Sequence, residues 1–223
     1  MQIASLLNIG HGVTALIGGG GKTTLMYTLA EELRPQGSVI LCTSTKIRVP
    51  EQYTVITGDD PGAVMDALSC FGAVCVGAPY GTEKLQASPL SFSELARLAD
   101  YVIAEADGAH GLPLKAHAPH EPVIPENAAQ VILVAGVDGI GRPIRAACHR
   151  PELYAQLAHA AQDDIVTPET AAAVIEAEGL GGRVFINKAE DAEGWTAARA
   201  MARRLTRPVA AGSLRGRDYR CLF

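Results

Sequence analysis

A chain of 223 residues, 48% hydrophobic and 19% charged, has the size and makeup of one folded domain, which excludes a disordered tract. Its formal net charge is −5, and basic residues run together only at Arg203-Arg204 and across 215–220, which argues against nucleic acid as a partner. No window reaches the roughly 18 apolar residues of a membrane span, and the opening Met1-Gln2-Ile3-Ala4-Ser5 has no basic lead. A cytoplasmic chain with no membrane partner is therefore expected.

Short runs rich in Val and Ile recur at 13–17, 38–42, 53–56, 73–76, 101–104, 130–135, 183–186 and 208–210, and each predicts a strand. Most are apolar throughout, the pattern of a parallel sheet covered on both faces. Helices are predicted between them. One covers 25–33, and Ser91-x-x-Glu94 forms a capping box ahead of another at 95–98. A helical segment spans 152–162, Thr167-Pro168 opens the next helix, and Gly179 closes it. Segments 79–89 and 110–127 read as loops, the second stiffened by Pro113, Pro119, Pro122 and Pro125. The alternation predicts an α/β fold: a mostly parallel open sheet flanked by helices, in a single domain over 1–223 with a lid or subdomain at 142–167. Cys42, Cys70, Cys75, Cys148 and Cys221 are never spaced Cys-x-x-Cys, so packed free thiols are expected and no zinc ribbon or disulfide framework.

The strongest motif is Gly18-Gly19-Gly20-Gly21-Lys22-Thr23-Thr24, placed directly after the first strand and before a helix. Consecutive glycines let the backbone turn its N–H groups around an anion, and the helix adds free N–H groups and the positive end of its dipole. Lys22 would reach the β and γ phosphates and the Thr23 hydroxyl would ligate Mg²⁺. The spacing departs from G-x-x-x-x-G-K-[ST], because Leu16 stands six before Lys22. The shorter loop is similar to that of Mur-type ligases. After the second strand, Thr43-Ser44-Thr45-Lys46 presents hydroxyls to the same side of the sheet, either to support Mg²⁺ or phosphate or as a plain polar turn.

Glu105 and Asp107 end an apolar strand two residues apart, so in extended geometry both point from one face, beyond the carboxyl ends of the strands where α/β sheets bind ligands. One would serve the Mg²⁺ shell and the other would orient a water or substrate group. Glu105-x-x-Gly108 resembles a motif of nucleotide-dependent metallochaperones. Downstream, His110, His117 and His120 lack a helical or strand period, so contact with substrate or partner by Lys115, His120 and Glu121 is expected ahead of a metal site. Arg142 or Arg145 would offer positive charge to a phosphoryl group. Cys148 precedes a helix beside His149 and Arg150, where a thiolate would be stabilised, although packing is the plainer reading. Asn187-Lys188-Ala189-Glu190-Asp191 follows another strand and is similar to the guanine-reading Asn-Lys-x-Asp of GTPases. Glu190 stands where Asp is expected, which leaves the base open between guanine and adenine.

Together, Gly-Gly-Gly-Gly-Lys-Thr-Thr, Thr43-Ser44-Thr45-Lys46-Ile47, the block from Glu105-Ala106-Asp107-Gly108-Ala109-His110-Gly111-Leu112-Pro113-Leu114-Lys115 to His120-Glu121-Pro122-Val123-Ile124-Pro125, and His149-Arg150-Pro151-Glu152-Leu153 resemble the selenium-dependent hydroxylase accessory proteins. The resemblance implies a P-loop NTPase-like fold and a role in maturing a selenium-dependent molybdenum hydroxylase. That hydroxylase, or its cofactor machinery, would be the client, and Lys22, Thr23, Glu105 and Asp107 carry over as site residues. The expected site has Lys22, Glu105 and Asp107 as catalytic groups and Thr23, Glu105 and Asp107 around Mg²⁺. Gly18, Gly19, Gly20, Gly21, Lys22, Thr23, Thr24, Asn187 and Lys188 would hold ATP or GTP. Three activities fit these residues: NTP hydrolysis, a nucleotide-gated carrier of a selenium or molybdenum species, and a small-molecule kinase.

Overall fold

The structure is a computed structural model that describes residues 2–222. In chain order, α1 (Ile3–Leu6) leads into β1 (Gly12–Gly18), α2 (Lys22–Leu33), β2 (Val39–Thr43), β3 (Lys46–Arg48) and β4 (Val55–Ile56). Then come α3 (Pro61–Phe71), β5 (Ala73–Val76), β6 (Ala78–Tyr80), β7 (Lys84–Gln86), α4 (Phe92–Leu98), β8 (Tyr101–Glu105), β9 (Leu114–Lys115) and β10 (Ala128–Gly136). A 3₁₀ turn (Val137–Gly139) precedes α5 (Ile144–Ala147), β11 (Cys148–His149), α6 (Pro151–Ala158) and α7 (Pro168–Glu178). The chain closes with β12 (Arg183–Asn187), α8 (Ala192–Ala202), β13 (Val209–Ser213) and β14 (Asp218–Cys221).

The predicted α/β architecture is present. Nine strands form one sheet in the order β14-β13-β12-β10-β1-β8-β2-β5-β4, and every neighbouring pair is parallel except the β13–β14 edge. β1 shows why its run is apolar throughout. Ala15 and Ile17 enter a cluster with α6, α7 and α8, whereas Leu16 enters one with α1 and α2. Both faces are covered, so alternation with polar residues would have buried unpaired groups. After β1 the chain passes to β2, reaches the edge at β4, returns through β5 and β8, and then crosses to β10 on the other side of β1. The reversal at β1 opens a crevice beyond the carboxyl ends of the central strands, where ligands bind in doubly wound sheets.

Local signals set the helix ends. Ser91 and Glu94 complete the capping box of α4, Thr167 caps α7 above Pro168, and Gly179 ends α7 in the left-handed region at φ 63°. The first long helix starts at Lys22, three residues ahead of its apolar period, because first-turn residues can be helical without belonging to the apolar stripe. The segment 79–89, expected as a loop, carries the end of β6 and all of β7. β7 pairs with β3 on one side and β6 on the other in a small antiparallel sheet, through contacts that no local pattern records. Residues 142–167 do not stand apart as a lid: Ile144, Ala147, Cys148, Tyr154, Ala155 and Val166 share one core cluster with β1 and β10. Among the described residues no helix is long and apolar enough to cross a membrane.

Candidate nucleotide-binding site

The glycine loop leaves β1 at the switch point. Gly18 (φ 94°) and Gly20 (φ 73°) sit in the left-handed region, and a Cβ on either would drive into the backbone of β10, at Val134 and Gly136 respectively. This close approach explains the glycines, and it also uses their amides. Gly18 N–H donates to Asp107 Oδ2 (2.9 Å), Gly19 N–H to the Val134 carbonyl (2.9 Å) and Gly20 N–H to the Leu112 carbonyl (3.1 Å). The donors left over begin at Gly21. α3, α4, α7 and α8 each start under a side-chain cap, but α2 starts at Gly21 with none. The first-turn N–H groups of residues 22–24 have no partner one turn back, so α2 directs uncapped amides and its positive dipole end into the crevice.

Glu105 ends β8 in register with Leu16 on one side and Thr43 on the other, beside the mouth of α2. Its Oε2 accepts a hydrogen bond from Thr23 Oγ1 at 2.8 Å, joining two residues 82 positions apart in sequence. Burial pushes the Glu105 carboxyl above the ordinary range, against the lowering influence of Lys22 and of the Thr23 hydroxyl. A hydroxyl and a carboxylate facing each other beside a phosphate loop match the oxygen donors that Mg²⁺ takes, with water and phosphate filling the remaining positions. Thr23 and Glu105 therefore fit this cation.

Asp107 does not join them. β8 stops at Glu105, the chain turns, and the Asp107 side chain is fully buried beneath the loop. Its Oδ2 accepts from Gly18 N–H and lies 2.7 Å from His117 Nε2 and 3.3 Å from Lys115 Nζ; Oδ1 faces Lys22 Nζ at 3.0 Å. Burial alone would raise this carboxyl, but the His117 hydrogen bond and the Lys22 and Lys115 charges outweigh it and hold it at about 2. His117 bridges onward, with Nδ1 2.9 Å from Glu178 Oε2 at the end of α7. Burial would lower this imidazole, but the bonds to Asp107 and Glu178 outweigh it and raise it; each ring nitrogen faces a carboxylate. Lys22 is buried as well. Its Nζ folds back to donate to the Gly18 carbonyl (2.6 Å) and stands 3.8 Å from Glu105.

Other expected contacts are also redistributed. Lys115, expected to meet a partner, has no exposed side-chain surface and pairs with Asp107 and with Glu121 (3.2 Å), which Arg150 also holds at 3.0 Å. His110 stacks against His149 with centroids 4.8 Å apart, His120 is exposed, and His117 lies in the buried network, so the three histidines point three ways. Among the described residues no group of three or more His, Cys, Asp or Glu could hold a metal ion. Arg142 donates to the Ala146 carbonyl and Arg145 pairs with Asp163; neither lines the cleft. Cys148 is buried and its thiol pushed up to about 12 by that burial, which removes the thiolate reading. Cys42 and Cys75 pack as expected, while Cys70 and Cys221 are exposed.

A cleft of about 1820 Å³ runs over the loop, lined by residues 20–24, Glu105, Asp138, Asn187 and Lys188 among others. Asn187 is buried and acts as a brace: its Nδ2 donates to the Gly20 carbonyl (2.8 Å) and its Oδ1 accepts from Leu214 N–H (3.2 Å). Lys188 reaches Asp138 at 2.7 Å. Asp191 caps α8 through Gly194 N–H, whereas Glu190 takes a hydrogen bond from Ser213 Oγ at 3.0 Å. Of the two acids, only Glu190 is free of a helix-capping duty. Sequence reading missed Glu178, which carried no signal beyond the neighbouring Gly179, and Leu214 and Arg215, which line the cleft just past a strand read three residues short.

Fold and site together define an α/β protein with a glycine-rich loop and an uncapped helix at the switch point of its sheet. The model of the YqeC protein family matches residues 14–152, and the chain belongs to that family. That span holds Lys22, Thr23, Glu105, Asp107 and His117 but ends before Asn187. A relative from Escherichia coli (strain K12), described as "Uncharacterized protein YqeC", is 33% identical over 139 residues, which are 59% of this chain and 54% of the relative. The chain thus spans about half the length of this curated relative. Among solved structures, the signal recognition particle 54 kDa protein of Aeropyrum pernix K1 in complex with GDP matches with a TM-score of 0.40 at 16% identity, over 96% of this chain and 44% of that one. A likeness that low carries nothing about the function of this chain.

Proposed function

We propose that the chain binds a nucleoside triphosphate with Mg²⁺, hydrolyses it, and serves as an accessory protein in maturing a selenium-dependent molybdenum hydroxylase. The observation that carries the nucleotide reading is the Thr23–Glu105 hydrogen bond at the mouth of an uncapped helix. Lys22 stands one residue before Thr23 and would exchange its bonds to the Gly18 carbonyl and Asp107 for the phosphates. Thr23 and Glu105 would hold Mg²⁺, whose charge offsets that of the phosphates. Positioning and charge neutralisation dominate phosphoryl transfer, and this loop supplies both. The client role rests on the resemblance of the Glu105-to-Pro125 block. A carrier that uses Cys148 is disfavoured by the burial of that thiol.

The test is binding of ATP and of GTP, with and without Mg²⁺, to the intact chain and to Lys22→Ala. The intact chain should bind at least one nucleotide in a Mg²⁺-dependent way, and the variant should bind it on the order of 10²-fold more weakly, the scale of a lost charge-assisted contact. Circular dichroism of the variant separates that loss from unfolding, which matters because Lys22 is buried in an ion pair. An intact chain that binds neither nucleotide would overturn the reading. Phosphate release measured with the client hydroxylase present tests turnover.

A further inference from the structure

The cleft continues past the phosphate loop. In the sheet order, β12 and β13 lie on one side of β1 and bring Asn187, Lys188, Glu190, Asp191, Leu214 and Arg215 to one end of the cleft. β8 and β2 lie on the other side, and the chain leaving β2 passes into β3, whose Lys46 and Arg48 line the opposite end together with Lys84 of β7. Register sets the orientation of this small sheet. Ile47 pairs with Leu85 and both are buried, so Lys46, Arg48 and Lys84 occupy the other, exposed face.

Arg48 lies directly across from Lys84, an arrangement that costs stability when like charges face each other. No ion pair among the described residues relieves it: none of the three cations meets a carboxylate, and Lys46 rests over the Tyr80 ring at 3.7 Å. Lysine placement is equally uneven. The lysines are Lys22, Lys46, Lys84, Lys115 and Lys188; Lys115 is buried beneath the loop and the other four line this cleft, in a molecule of net charge −5. Unpaired cations along one wall of a cleft focus anions there.

We propose that Lys46, Arg48 and Lys84 form a second anion subsite that holds a small phosphate-bearing co-substrate at the end of the cleft opposite Asn187 and Lys188. The proposal rests on the nucleotide reading above and names the class of molecule that would lie beyond the triphosphate. A long polyanion fits poorly, because Glu105 and Glu121 line the same cleft and would repel a continuous backbone. Free inorganic phosphate and an organic phosphate monoester share the required chemistry.

Lysine acetylation under native conditions, followed by peptide mapping, reads both sites separately. The intact chain is treated alone, with ADP or GDP plus Mg²⁺, and with inorganic phosphate or glycerol 3-phosphate added to each. Nucleotide should shield Lys188, which lines the other end of the cleft and is partly exposed, whereas Lys22 is already buried. At about ten times its Kd, either phosphate should slow acetylation of Lys46 and Lys84 about tenfold, and Arg48→Ala should remove most of that protection. Protection by inorganic phosphate alone assigns the free ion, and protection by the ester alone assigns a phosphorylated metabolite. Unchanged rates at Lys46 and Lys84 with both phosphates overturn the subsite. Lack of shielding at Lys188 by nucleotide sinks the nucleotide reading instead, whatever Lys46 and Lys84 show.

Discussion

Among the described residues, Asp107 meets more cations than any other carboxylate: Lys22, Lys115 and His117. Its carboxylate is fully buried and contacts all three, and removing one partner of a buried pair leaves charge uncompensated. Glu105, Glu121 and Glu178 each keep one contact to those cations, so the loss in Asp107→Asn should fall near the low end for such changes, about 3 kcal/mol. Urea unfolding checks this, and a variant within experimental error of the parent would contradict the network. Glu121 gives the pH dependence. Burial would raise it, but the hydrogen bond from Arg150 and the charge of Lys115 hold it at about 2, below its ordinary 4.5. A depressed carboxyl stabilises the fold above its unfolded value, and that contribution disappears as pH falls from about 4.5 toward 2. Because Glu121 keeps some exposure, the contribution is about 1 kcal/mol, the scale of a partly solvated pair. Glu121→Gln should lack it, so melting temperatures of variant and parent should differ at pH 7 and converge near pH 2.

The elements differ in how openly their sequences declare them. β1, β8, β10 and β12 are apolar runs buried on both faces, and α4 and α7 announce themselves through caps, so local chemistry sufficed to find them. β6 and β7 were hidden because three-residue strands are too short to show a period, and they are strands only because β7 pairs with β3 on one side and β6 on the other. The same pairing turns Lys46, Arg48 and Lys84 into one face. In the site, the Lys22–Thr23 step was legible from glycine and helix chemistry. The amide assignment was not: Gly18, Gly19 and Gly20 spend their N–H groups on Asp107, Val134 and Leu112, partners far off in sequence.

At the scale of the whole molecule, one core cluster joins β1, β10 and β12 to α5, α6 and α7. Residues 142–167 are therefore expected to unfold with the sheet and not ahead of it. Alkylation in native buffer should reach exposed Cys70 quickly, whereas Cys148 should react only at the rate of global unfolding, together with Cys42 and Cys75. Early reaction of Cys148 alone would mean that this segment opens independently.

The amino-acid order by itself settled the alternation of strands and helices, the phosphate loop with its hydroxyl, and Glu105 at a strand end, because each follows from chain-local causes: burial of apolar runs, glycine's access to positive φ, and capping. Tertiary structure alone decided that Asp107 turns under the loop, that His117 meets Glu178 61 residues away, and that Asn187 braces Gly20 across 167. Such contacts join charges whose spacing along the chain repeats with neither helix nor strand, so only the packed sheet determines which carboxylate faces the cleft and which is sealed beneath it.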